Sequence, residues 1–153
     1  MRSIVLLISG LVLISFLGCA KKQYPPFSPE LTFVSKEANG LVILRSNGFG
    51  GNIDAATNDA QRNAFYHIMF KGIPGTELNV PMIDNEANAK AKHKDYIDKF
   101  FGGKYQEFML TSTITSNLIA VNGGYQITVE VKINTNSLRK DLEQNQVIRK
   151  FGF

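Results

Sequence analysis

This sequence predicts an α+β fold: an antiparallel sheet with helices packed on one face, in the order ββ-α-α-ββ-α. Three observations carry that expectation. Asn39-Gly40 lies between two β-rich runs, a strong signal for a two-residue hairpin turn. Tyr125, Ile127, Val129, Val131 and Ile133 alternate with Gln126, Thr128, Glu130, Lys132 and Asn134, the period of a strand with one dry and one wet face. Between these two regions, Ala56, Ala60, Ala64 and Ile68 recur every four residues, with Phe65 and Met69 beside them, as on the buried stripe of a helix.

The elements follow in order. The first hairpin spans Leu31 to Ser46, and the run Ser46 to Gly51 (SNGFGG) breaks its pattern. Asn52 is the N-cap of the first helix, and Asp54 sits in its first turn, where a negative charge suits the helix dipole. The small alanine stripe lets this helix lie close to a sheet. Gly72 is its stop signal, and Pro74 reinforces the break. From Gly72 to Asp84, with Pro74, Gly75 and Pro81, the chain reads as a long linking loop. A second helix starts near Asp84 or Asn85 and runs to Phe101, burying Ala89, Tyr96, Ile97, Phe100 and Phe101; Gly102-Gly103 ends it. A strand from Gln106 to Val121, a turn at Asn122-Gly123-Gly124 and the alternating strand come next. A short helix from about Ser137 to Gln144 carries Leu138 and Leu142.

The chain has 153 residues, 44% of them hydrophobic, enough apolar material for one core. Its formal charge of +4 is spread over short groups such as Lys21/Lys22, Arg139/Lys140 and Arg149/Lys150, none as long as an interaction tail. A single cysteine excludes an internal disulfide. Three segments emerge: residues 1–18, residues 19–29 and a single domain over 30–153. In the first, Arg2 precedes an apolar run from Ile4 to Leu17, interrupted only by Ser9, Gly10 and Ser15. That run is short of the roughly 20 residues that cross a bilayer and suits a secretory signal. In the second, Pro25, Pro26 and Pro29 favour an extended tether.

The stretch Phe16-Leu17-Gly18-Cys19 resembles a bacterial lipobox, with Phe16 where leucine is usual. The resemblance implies cleavage after Gly18, diacylation of the Cys19 sulfur and acylation of the new amine. Each buried methylene adds about 0.8 kcal/mol, so two or three acyl chains anchor the protein stably. Ala20, rather than aspartate, follows the cysteine, which implies an outer-membrane position; periplasm-facing is the expected orientation.

Catalytic patterns are sparse. Gly48-Phe49-Gly50-Gly51 precedes a helix as a phosphate-binding loop would. It lacks Gly-Lys-Ser/Thr, Ile53 stands where a dinucleotide fingerprint has its third glycine, and Asp54 and Asp59 would repel an anion. The reading that remains is a glycine kink allowing close strand–helix packing. His67 and His93 are the only histidines, on different helices, with no His-x-x-x-His spacing. No Gly-x-Ser-x-Gly elbow is present. The acids Asp84, Glu86, Asp95 and Asp98 read as helix caps and solvated faces. The basic-aromatic run from Ala89 to Phe108 reads as a lysine face over buried rings, with no nucleic acid partner. The expectation is therefore no enzyme, no metal and no cofactor.

The tract SNGFGGNIDAATNDAQRNAF, through Gly48, Ala55, Ala56, Ala60 and Ala64, resembles small bacterial lipoprotein domains of the LPP20 type. It is also similar to the N-terminal domain of the flagellar assembly protein FlgT. Both imply envelope-anchored assembly or scaffold domains without catalytic residues. The expected partners are the membrane, through Cys19, and an envelope protein or an anionic cell-wall polymer. The contact surface is expected at exposed strand edges or at the loop holding Gly72, Ile73, Pro74, Gly75 and Pro81. Two rival readings stand beside this one. One is a periplasmic small-ligand or glycan binder with a pocket lined by second-helix aromatics. The other is a hydrolase built from scattered carboxylates.

Overall fold

The computed structural model describes residues 31–121 and 123–150. Cys19, the segments expected to be a signal and a tether, and the end of the chain from Phe151 to Phe153 lie outside the described residues. Strands β1 (Leu31–Glu37), β2 (Leu41–Gly50), β3 (Met109–Ile114), β4 (Ile119–Val121) and β5 (Gly124–Asn134) form one antiparallel sheet. Its order is β1-β2-β5-β3, and β4 continues beside β5 beyond the end of β3. Helices α1 (Ile53–Tyr66), α2 (Glu86–Lys92), α3 (Lys94–Gly102) and α4 (Thr135–Gln144) complete the fold. It is the expected α+β layer fold, with a helical break and a divided strand added.

The hairpin forms as its turn residues dictate. Asn39 and Gly40 both take positive φ, 62° and 73°, and Leu41 N–H donates to the Ala38 carbonyl. The expected break over Ser46 to Gly51 is corrected: β2 runs on to Gly50, because Val129 through Tyr125 of β5 pair with Ser46 through Gly50. The glycines there serve packing. A Cβ built on Gly48 would lie 2.1 Å from the Ala56 carbonyl oxygen and 2.3 Å from the Ala60 nitrogen. Ala56, Ala60 and Ala64 are fully buried against this strand. Sequence therefore specifies a tight contact from both sides: hydrogen atoms on the strand, methyl groups on the helix.

Asn52 caps α1, accepting from Ala55 N–H at 2.8 Å. The helix then widens into a π turn over His67–Lys71, closed where Gly72 N–H donates to His67 C=O, and Gly72 turns at φ 70°. The second helix is not continuous. It breaks at His93, whose φ and ψ are −122° and 35°. The stretch from Lys104 to Phe108 is a 3₁₀ turn rather than the start of a strand, because Tyr105 and Phe108, three residues apart, both face the core. Helix α4 starts at Thr135, earlier than expected, because Asn134 caps it and Thr135 Oγ1 donates to the Gly40 carbonyl.

The predicted dry face of β5 is the core face: Ile127, Val129, Val131 and Ile133 are buried. The core continues through Phe65, Ile97, Phe100, Tyr105, Leu138 and Leu142. The uncovered face of the sheet is polar and charge-balanced. Arg45 pairs with Glu130 at 3.0 Å, Lys132 with Glu37 at 2.6 Å, and Thr128 Oγ1 donates to Asn47 Oδ1 at 2.6 Å.

Two carboxylates clasp the helices together. Glu86 accepts from Tyr66 Oη (2.9 Å), Lys71 Nζ (3.1 Å) and Lys90 Nζ (2.6 Å), joining α1 and its π turn to α2. Asp141 on α4 accepts from Tyr96 Oη (2.6 Å) and Lys104 Nζ (2.8 Å). Lys90 first, then Lys71 and Tyr66, hold the Glu86 carboxyl at about 2 against the opposing effect of its burial. His67 is shifted in the same direction by a different cause: burial, then the Lys71 charge, lowers its pKa, and its Nε2 is buried without a hydrogen-bond partner among the described residues. Both groups have folded values below their unfolded ones, so both favour the native state above the unfolded pKa. Stability should therefore fall as pH drops from 6.5 through the His67 transition, and again between 4.5 and about 2 as Glu86 protonates. Urea midpoints measured across that range check this. In His67→Gln the first fall disappears and the second stays.

Candidate interaction surface

Among the described residues, each end of the sheet order leaves one strand edge without a neighbour. The β1 edge is guarded by sequence. Its register slips between Phe33 and Ser35, and it carries Lys36 and Glu37. Bulges and charges of this kind discourage another strand from adding to an edge.

The β3–β4 edge lacks the charges. From Phe108 to Val129 the sequence contains no acidic or basic side chain and no histidine. Its one bulge lies at the start of β3, where the register slips between Met109 and Thr111. Thr115 N–H donates to Thr128 C=O at 2.9 Å, which fixes the parity of the edge. In an antiparallel pair, alternate residues turn both backbone groups toward the partner strand. Thr111, Thr113 and Thr115 thus face β5, and the N–H and C=O groups of Ser112 and Ile114 point outward. The strand divides after Thr115 because the Ser116 hydroxyl accepts from Thr128 N–H at 2.7 Å, replacing a backbone carbonyl in the ladder.

Large apolar side chains flank this edge. Leu110, Ile114, Leu118 and Ile119 are 50%, 45%, 44% and 52% exposed. Scattered single apolar residues on a surface are ordinary, but four along one uncharged edge leave that edge apolar on both faces of the sheet, Ile114 opposite Val129 and Ile119 opposite Gln126. The strand itself is firmly held. Ser112 Oγ accepts from Gln61 Nε2 at 2.8 Å, and Gln61 Oε1 accepts from Tyr105 Oη at 3.2 Å, tying β3 to α1 and to the 3₁₀ turn.

The loop expected to make contacts is tied to the fold but leaves several residues exposed. Gly72 and Ile73 are buried and Pro81 is half-buried, whereas Pro74, Gly75, Glu77, Asn79, Val80 and Asp84 are exposed. Ile73 N–H donates to Leu78 C=O, and Met82 and Ile83 N–H donate to the Ile68 and Met69 carbonyls, so the loop is stitched onto the π turn. Val80, within it, is 67% exposed.

The glycine tract is no anion cradle. Phe49 N–H donates to Asp59 Oδ2 at 2.9 Å, and Gly48 and Gly50 lie against α1. Burial raises the Asp59 pKa, with the Phe49 hydrogen bond opposing it. Of the second-helix aromatics, Phe100 is fully buried, and Tyr96 and Phe101 pack onto the core. An open groove of about 740 Å³ lies between the residues from Val80 to Asn85, α2 and the chain after α4. Lys92, His93, Arg139, Arg149 and Lys150 border it, with Asp84 as its acid, so it presents no facing carboxylate pair. Among the described residues, no group of three or more His, Cys, Asp or Glu stands ready to hold a metal ion. No helix among them is long and apolar enough to cross a membrane.

The sequence pointed to strand edges in general; the charge-free run from Phe108 to Val129 is the signal that singles out this one. Compared with known proteins, the chain matches no protein-family model, no curated protein and no solved structure.

Proposed function

We propose that this chain is a non-catalytic interaction module of the bacterial cell envelope. It is acylated at Cys19, anchored to the outer membrane facing the periplasm, and takes a partner polypeptide along the β3–β4 edge. The observation that carries the reading is an uncharged, apolar-flanked sheet edge standing over a filled core. Strand addition fits such an edge: backbone hydrogen bonds supply affinity, and alternate side chains supply selectivity. The lipobox-like Phe16-Leu17-Gly18-Cys19 supports the address, and the likeness to LPP20-type and FlgT domains supports an assembly role. The basic border of the groove favours an anionic cell-wall polymer as a second, weaker contact.

Two measurements test the proposal. Mass spectrometry of the processed amino terminus should find acylated Cys19. A photo-crosslinking residue at Leu110, Ile114 or Ile119 should trap a polypeptide in intact envelopes, and one at Ser137 on α4 should not. An unmodified thiol removes the anchor. Equal trapping at both places removes the edge.

A further inference from the structure

We propose that the strand joining the β3 edge is β3 of a second copy of this chain, giving a closed twofold dimer with one continuous sheet. This rests on the interaction-module reading and names its occupant. Self-pairing asks that an edge tolerate its own chemistry. From Phe108 to Val129 no charge meets its like across the axis, whereas the β1 edge would bring Lys36 and Glu37. Because β1 is bulged and charged, a head-to-tail β1–β3 contact is disfavoured, and the assembly closes at two copies.

The outward groups also match in register. Ser112 and Ile114 each offer one N–H and one C=O, with Thr113 between them. Laid antiparallel about an axis at Thr113, Ser112 of one copy pairs with Ile114 of the other, and the reverse, for four backbone hydrogen bonds. Thr113 then faces Thr113 across the axis as a non-hydrogen-bonded pair, where Cα atoms approach to about 4.5 Å. Threonine pairs at such positions are favourable. Ile114, nearly half exposed in one copy, gains cover in the pair. Chains held in one membrane plane by Cys19 would meet at raised effective concentration.

A separation of about 4.5 Å suits a disulfide, so Thr113→Cys is the direct test. In the full chain in its membranes, mild oxidation should give a reducible band at twice the monomer mass. Wild type and Thr111→Cys should not give it. Ile114→Pro removes only an outward N–H, a place where an edge strand tolerates proline. Ile114→Lys keeps the N–H and adds a charge. Either change, placed in Thr113→Cys, should cut the dimer band at least tenfold while thermal unfolding stays cooperative. A folded Thr113→Cys chain with no dimer band above wild type overturns the inference. If a photo-crosslinker at Ile114 then captures a different polypeptide, the second copy is excluded and the interaction-module reading stands. If it captures nothing, both fall.

Discussion

Gly48→Ala should destabilise this protein by about 3 kcal/mol or more, the upper end of what overpacking costs. The new methyl carbon would sit 2.1 Å from the Ala56 carbonyl oxygen and 2.3 Å from the Ala60 nitrogen. Both are backbone atoms of α1, so no side chain can rotate away to make room. Either α1 rises off the sheet or β2 sinks, and each loosens the contact of Ala56, Ala60 and Ala64 that buries the helix. A close-packed interior forfeits dispersion contacts quickly when surfaces separate by even an ångström. Gly102→Ala is the matched control, since nothing lies within 4 Å of its added carbon. Urea titration followed by circular dichroism should show a large drop in midpoint for Gly48→Ala and none for Gly102→Ala. A Gly48→Ala protein within 1 kcal/mol of wild type would mean that α1 does not pack as closely as described.

That contact also marks how much of the fold the sequence makes legible. The strand–helix proximity was visible from both partners, because glycine and alanine at matching places have few other uses. The Asn39-Gly40 turn and the alternation from Tyr125 to Ile133 were equally plain, since each states a local geometry that side-chain chemistry enforces. What escaped local signals was set by distant partners. The run from Ser46 to Gly50 looks like a loop until the length of β5 supplies its pairing. The break at His93 falls in a segment without proline or glycine, so nothing local announces it. Tyr105 and Phe108 could have served a strand; burial of both on one side selects the 3₁₀ turn. Of the candidate surface, the sequence offers exposed strand edges only as a class. Which edge stays open depends on strand order, and strand order is a tertiary fact. The buried state of Gly72 and Ile73 likewise follows from hydrogen bonds to residues the loop must first fold back to meet.

Phe100→Ala should cost about 3–5 kcal/mol, the range for deleting a fully buried aromatic ring. The ring is 0% exposed and stands at the centre of the aromatic core. It meets Phe65 edge-on at 5.8 Å, Phe101 edge-on at 5.2 Å, Tyr96 stacked at 6.1 Å and Phe108 stacked at 5.9 Å. Truncation thus removes transferred apolar area and leaves a cavity whose walls come from α1, α3 and the 3₁₀ turn together. These walls cannot collapse cheaply. Phe65 is fully buried and packs on Tyr105 at 5.5 Å, and Tyr96 is held by its hydrogen bond to Asp141. Phe100→Leu keeps most of the volume and should cost about half as much. Domains of this size are typically stable by only about 5–15 kcal/mol, so the alanine variant would sit near the edge of folding. The pattern of loss separates the core from the surface. Phe100→Ala should lower the denaturation midpoint with little change in slope. Ile114→Lys, on the open edge, should leave the midpoint nearly where it was. If the two substitutions cost the same, the edge is part of the folding core rather than a surface kept free for another strand.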